Sequence, residues 1–286
     1  MLNASQGKGT HVRSIAILFA AILGGCLAQF AAASPGPVIL QHGNAWARIN
    51  PGSQAGNDIW VVDGWNLLDK EWFWYRVDTP VAAGREFSLD ALDSSPTVLP
   101  SDTNGDGQPE HLYLRYADAN QGLSVEVDYS LIGGVPGSGR TDLDEGIRIT
   151  NLAREARTIH FFTYAQFNMS VNEDTAVVKN ANTVDQSFLP WHASEVVVTP
   201  APTQYEVNLV PLTLDALNDD LPTTLNGNLG PMTGEVAWAL EWDFMLPAGG
   251  SYLISQDKTL TLVPEPATLA LVGLGLAGIL ARRRAR

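Results

Sequence analysis

Apolar residues recur at every second position along much of this chain, and that period limits the structures it can form. Val236, Trp238, Leu240, Trp242, Phe244 and Leu246 alternate with Ala237, Ala239, Glu241 and Asp243. Successive side chains of a strand point to opposite faces, so this row buries one face of a sheet, whereas a helix would scatter it around its axis. Leu123, Val125, Val127, Tyr129 and Leu131 repeat the pattern against Ser124, Glu126, Asp128 and Ser130, a half-buried strand with one wet face. Ile159 to Met169 carries Phe161, Phe162, Tyr164 and Phe167 over both faces and is expected between two layers. Other strands are expected at Ile59–Val62, Trp72–Val77, Glu110–Tyr116, Ile147–Leu152, Glu195–Thr199, Tyr205–Leu209, Ser251–Ser255 and Thr259–Leu262. Only Thr213–Asp220 suits a short helix. Turn clusters at Gly133–Gly139, Asn226-Gly227-Asn228 and Pro247–Gly250 separate the strands. Many strands, short turns and no βαβ alternation predict an all-β antiparallel sandwich of jelly-roll or supersandwich type. The polar stretch from Asn151 to Thr158 is expected to join two long strands as a hairpin.

The two ends are of another character. Lys8, His11 and Arg13 precede the apolar run Ile15–Leu23, and Ala31-Ala32-Ala33 follows, the layout of a secretory signal helix removed after Ala33. Leu23-Gly24-Gly25-Cys26 loosely resembles a lipoprotein cleavage box, which would lipidate Cys26 instead. That cysteine is the only one in the chain, so the body has no thiol for disulfides or metal. Stability rests on a hydrophobic core, and 34–262 is long enough for one large domain. Without the two ends the body has 11 basic against 30 acidic side chains, a net charge of about −19. Such a surface excludes nucleic acid as a partner and attracts divalent cations.

The last segment, 263–286, has three parts in order: Val263-Pro264-Glu265-Pro266, the uncharged run Ala267–Leu280, and Arg282, Arg283, Arg284 and Arg286. As a helix the run spans only about 21 Å at ~1.5 Å per residue, short of a ~30 Å hydrocarbon core. The arginines would hold that end on the cytoplasmic side and leave the body outside. This pattern closely resembles the PEP-CTERM sorting signal of Gram-negative bacteria. The resemblance covers these 24 residues alone. It implies that Pro264, Glu265 and Pro266 are recognised by an exosortase-type membrane protease and that the transmembrane helix parks the chain transiently in the inner membrane. Cleavage then sends the body to the cell surface or the medium. It also implies an association with exopolysaccharide, and hence a structural or adhesive matrix protein. A plain C-terminal anchor is the alternative.

Within the body, Asp102-Thr103-Asn104-Gly105-Asp106-Gly107-Gln108-Pro109-Glu110 places oxygen donors at alternate positions. Asp102, Asn104, Asp106, the Gln108 carbonyl and Glu110 would suit a structural calcium ion, which takes six to eight oxygens. Position 12 of an EF-hand loop would be Tyr113, which excludes the helix-loop-helix form. Trp72 and Trp74 share one strand face; exposed, they would stack on sugar rings in a carbohydrate-binding module, while burial in the core is the simpler fate. His42, His111, His160 and His192 fall in no metal-binding spacing. Glu173 and Asp174, or Asp144 and Glu145, are glycosidase-type carboxylates but neighbours on a strand, so each pair points to opposite faces. The expectation is therefore a protein without catalytic residues.

Overall fold

The computed structural model describes residues 34–78, 84–170 and 173–263. The signal segment 1–33 with Cys26, and the sorting tail from Pro264 through Arg282, Arg283 and Arg284, lie outside the described residues. The strands are β1 (Val38–His42), β2 (Ala45–Asn50), β3 (Gly56–Val62), β4 (Trp65–Asn66), β5 (Leu68–Val77), β6 (Phe87–Ser88), β7 (Thr97–Ser101), β8 (His111–Asp118) and β9 (Leu123–Gly133). They continue as β10 (Arg140–Asn151), β11 (Arg157–Phe167), β12 (Asp174–Asn180), β13 (Thr183–Phe188), β14 (Trp191–Thr199), β15 (Gln204–Leu209), β16 (Met232–Gly234), β17 (Val236–Leu246) and β18 (Ser251–Leu262). Among the described residues one α-helix, α1, spans Leu212–Asn218, where the sequence leads one to expect it.

Two nine-stranded sheets result. The first runs β1-β2-β3-β5-β11-β17-β15, with β4 beside β3 and β6 beside β5. The second runs β16-β12-β13-β14-β18-β10-β9-β8-β7, so that β18 alone joins its two halves. Pairing is antiparallel except where β3 meets β5 at Gly56, Asn57 and Glu71. Gly56 has φ +59°, and a Cβ there would stand 2.6 Å from the Trp72 ring, so this close approach requires glycine.

The alternating rows meet between the sheets. Leu123, Val125, Val127, Tyr129 and Leu131 are each at most 1% exposed. Phe73 stacks on Phe161 at 5.8 Å between centroids and reaches Tyr129 of the other sheet at 6.4 Å. β17 is buried on both faces, Ala237, Ala239 and Glu241 as deeply as the tryptophan row. The cover over that outer face is α1 and the segment after it. Trp74 Nε1 donates to Asn218 Oδ1 (3.2 Å), and the amides of Thr223, Leu225 and Asn226 donate to Glu86, Glu241 and Glu206.

Three local expectations change. The 151–158 stretch is not a hairpin, because β10 pairs with β9 and β18 while β11 pairs with β5 and β17 in the other sheet. β18 runs unbroken through Gln256-Asp257-Lys258, where the polar sequence suggests a break between two strands. Trp72 and Trp74 are both 0% exposed, so neither presents a ring for stacking on a sugar, and the exposed tryptophan is Trp65 at 64%.

Candidate functional site

β11 and β17 are antiparallel neighbours with His160 opposite Asp243 and Phe162 opposite Glu241. Alternation along each strand therefore brings His160, Glu241 and Asp243 to one face of the first sheet. His160 Nδ1 contacts Asp243 Oδ1 and lies 3.8 Å from Glu241 Oε1, while Nε2 lies 3.1 Å from Asp78 Oδ2 just past the end of β5. Arg76 Nε stands 3.3 Å from the other oxygen of Asp78. Burial disfavours charge on the imidazole, but the nearby carboxylates of Glu241, Asp78 and Asp243 outweigh it and push its pKa up to about 9. His160 is therefore an imidazolium at neutral pH. Burial also raises the carboxyl of Glu241, against the nearby His160 ring and the hydrogen bond from the Leu225 amide.

The ligand atoms of His160, Glu241 and Asp243 lie within 4.8 Å of one another, a spacing that a metal ion could bridge. A metal-bound imidazole must be neutral, so ion capture here would release the His160 proton, whereas the charged ring suits proton transfer and ion pairing. The cluster also opens outward. Asp78 borders a cavity of about 410 Å³ lined by Val77, Gln121, Glu155, Ala156, Arg157 and Thr158, a size and polar lining suited to a small ligand. None of these partners was visible in the spacing of the sequence: Asp78, His160 and Asp243 are far apart in the chain, and only strand register unites them.

The remaining sequence-derived residues sit elsewhere. The loop Asp102–Glu110 joins β7 to β8 and is fixed by its own side chains. Asp102 accepts the amides of Gly105 (2.6 Å) and Gly107 (2.8 Å), Asn104 that of Asp106 (2.8 Å), Asp106 that of Gln108 (2.9 Å), and Glu110 those of Thr103 (2.8 Å) and Asn104 (3.1 Å). Asp144 and Glu145 do point to opposite faces. Asp144 stands across from Asp257 on the outside, while Glu145 turns inward to a buried group that sequence reasoning missed. There Lys258 Nζ of β18 lies 2.8 Å from Glu145 Oε2 and contacts Glu71 of the opposite sheet, and Gln256 Nε2 donates to Glu145 (2.5 Å). Beside them, Trp238 Nε1 donates to Glu195 Oε2 (2.8 Å).

Comparison with known proteins adds two findings. Residues 262–284 match the family model described as the PEP-CTERM protein-sorting motif. The motif implies export through membrane-associated sorting to the cell surface, with an exosortase as the processing partner. No curated protein matches the sequence. Among solved structures, the fold is similar to a GalM/aldose epimerase homologue from C. elegans, with TM-score 0.52, 8% identity, and coverage of 80% of this chain and 99% of that one. It is also similar to a galactose mutarotase related enzyme from Lactobacillus acidophilus, with TM-score 0.50, 8% identity, and coverage of 80% and 99%. At such identity the likeness establishes the fold alone. It nevertheless corrects the expectation of a non-enzymatic body, since this architecture is one that enzymes use.

Proposed function

We propose that the protein is exported by its PEP-CTERM motif and that its sandwich domain binds and processes carbohydrate of the exopolysaccharide matrix at the cell surface. The observation that carries this reading is the His160 imidazolium, ringed by Glu241, Asp243 and Asp78 and opening through Asp78 into a polar cavity. Gln121, Glu155, Arg157 and Thr158 offer a sugar both donors and acceptors. Opening an aldose ring requires a proton at the ring oxygen and removal of one from the anomeric hydroxyl. In this reading the Asp78 carboxylate takes the proton of the anomeric hydroxyl, solvent in the cavity delivers one to the ring oxygen, and the His160 imidazolium behind Asp78 orients its carboxylate. The calcium loop Asp102–Glu110 belongs to the same proposal as a stabiliser of the β7–β8 connection.

The test is anomer exchange of galactose and glucose, followed by saturation-transfer NMR with the full chain. Asp78→Asn and His160→Asn should each slow exchange by about 10²-fold or more, the usual share of one acid–base group. No acceleration by the wild type, together with no binding of oligosaccharides by calorimetry, would refute the proposal.

A further inference from the structure

We infer that a divalent cation, calcium by its chemistry, binds a separate pocket formed by Asp69, Gln166, Asn168, Ser170, Asp174 and Glu235. This inference is independent of the sugar site and of the Asp102–Glu110 loop. The pocket holds about 140 Å³ and lies where β11 ends and β12 begins. Its deepest residue, Asp174, is 2% exposed. One of its oxygens is satisfied, with Oδ2 accepting from the Met169 amide (2.9 Å) and from Gln186 Nε2 (2.9 Å). The other, Oδ1, is buried and has no hydrogen-bond partner among the described residues. A buried carboxylate oxygen left bare is costly, and Asp174 borders a cavity that a cation would fit.

Burial raises the carboxyls of Asp174 and Asp69, against the pull of the Met169 and Ser170 amides and Gln186 on Asp174 and of Asn168 on Asp69, while the neighbouring charges of Asp69 and Glu235 add to the rise. Among the described residues no Lys, Arg or His is within ion-pair range of Asp69, Asp174 or Glu235. The His160 cluster differs, because a protonated ring already supplies its positive charge. Three carboxylates and the side-chain oxygens of Gln166, Asn168 and Ser170 make six hard donors, the lower limit for calcium. Gln166 now turns Nε2 toward Asp69 at 3.5 Å and accepts from Tyr164 with Oε1; half a turn of its amide would present the oxygen instead. The mixed side-chain set on strand ends and loops suits calcium better than the strict octahedron of magnesium. A bound ion would tie β5 and β11 of one sheet to β12 of the other.

The test is calcium binding by the chelator-treated full chain, read by equilibrium dialysis with metal analysis and by the calcium-dependent rise in melting temperature. We expect a site with a midpoint of roughly 0.1–1 mM, as in extracellular modules. Asp69→Asn at the exposed mouth should weaken it at least tenfold, and Asp174→Asn should abolish it. If Asp174→Asn does not fold, Asp69→Asn decides alone. The double variant Asp102→Asn/Asp106→Asn accounts for any ion held by the β7–β8 loop and should leave this site intact. Binding that survives Asp69→Asn unchanged, that disappears with the loop variant, or that is absent from the wild type up to 10-fold above that range overturns the inference.

Discussion

Replacing Lys258 by methionine should destabilise the protein by about 3–5 kcal/mol, the usual cost of removing one partner from a buried ion pair. Lys258 is 1% exposed, and its ammonium is held between Glu71 of one sheet and Glu145 of the other, both side chains fully buried. Three carboxylates, those of Glu71, Glu145 and Glu195, act on this one cation. Burial raises the carboxyls of Glu145 and Glu195. Glu71 is also penalised by burial, but Lys258 and the hydrogen bonds of Glu145 and Asn57 hold it below the usual carboxylate range. The resident state is therefore an ion pair of Lys258 and Glu71 with protonated Glu145 beside it. Methionine keeps the apolar stem and removes only the charge, which leaves Glu71 bare. In a body of this size the loss corresponds to about 6–20 °C in melting temperature. Urea unfolding at pH 7 should measure it, and Glu71→Gln in the same chain should restore most of it. The wild type should itself lose stability as pH rises above about 4.5, because folded Glu145 and Glu195 hold protons that the unfolded chain releases. A loss below about 1 kcal/mol, or one that Glu71→Gln leaves unchanged, would refute the assignment of charge within this cluster.

Two further outcomes are expected. Gly56→Ala combines a left-handed backbone with a Cβ 2.6 Å from the Trp72 ring, and urea unfolding should show a loss of about 2 kcal/mol or more. His160 should titrate near pH 9 by NMR. Its charged form then stabilises the fold fully below the unfolded value of about 6.5, and this contribution disappears as pH rises through about 9. Asp78→Asn should lower the midpoint.

How much was legible in the sequence depended on the solvent each residue meets. β9 and β17 were readable because their inward rows are purely apolar. Gln256-Asp257-Lys258 hid the middle of β18, because Gln256 and Lys258 point inward yet are polar, satisfied there by Glu145 and Glu71 from distant parts of the chain. The 151–158 stretch looked like a hairpin because nothing local says that its flanking strands belong to different sheets. Trp72 and Trp74 carried a pattern that fits exposure or burial equally; Trp74 is covered by α1 through Asn218, and Trp72 is closed in by Asp90 and Tyr116. The His160 and Asp174 groupings depend wholly on register and on loop placement, which no spacing along the chain encodes.

The position of β18 sets an order of events. It is the last strand of the body in the sequence, yet it lies between β14 and β10 and alone links the two halves of its sheet. The sorting motif begins at residue 262, on the final residue of that same strand. An exported chain consequently cannot complete its second sheet until the residues adjoining its own address have crossed the membrane. Assembly of the body and emergence of the signal are thus tied together, and a chain cut short between Gly234 and Ser251 would arrive with two unjoined half-sheets and open edges.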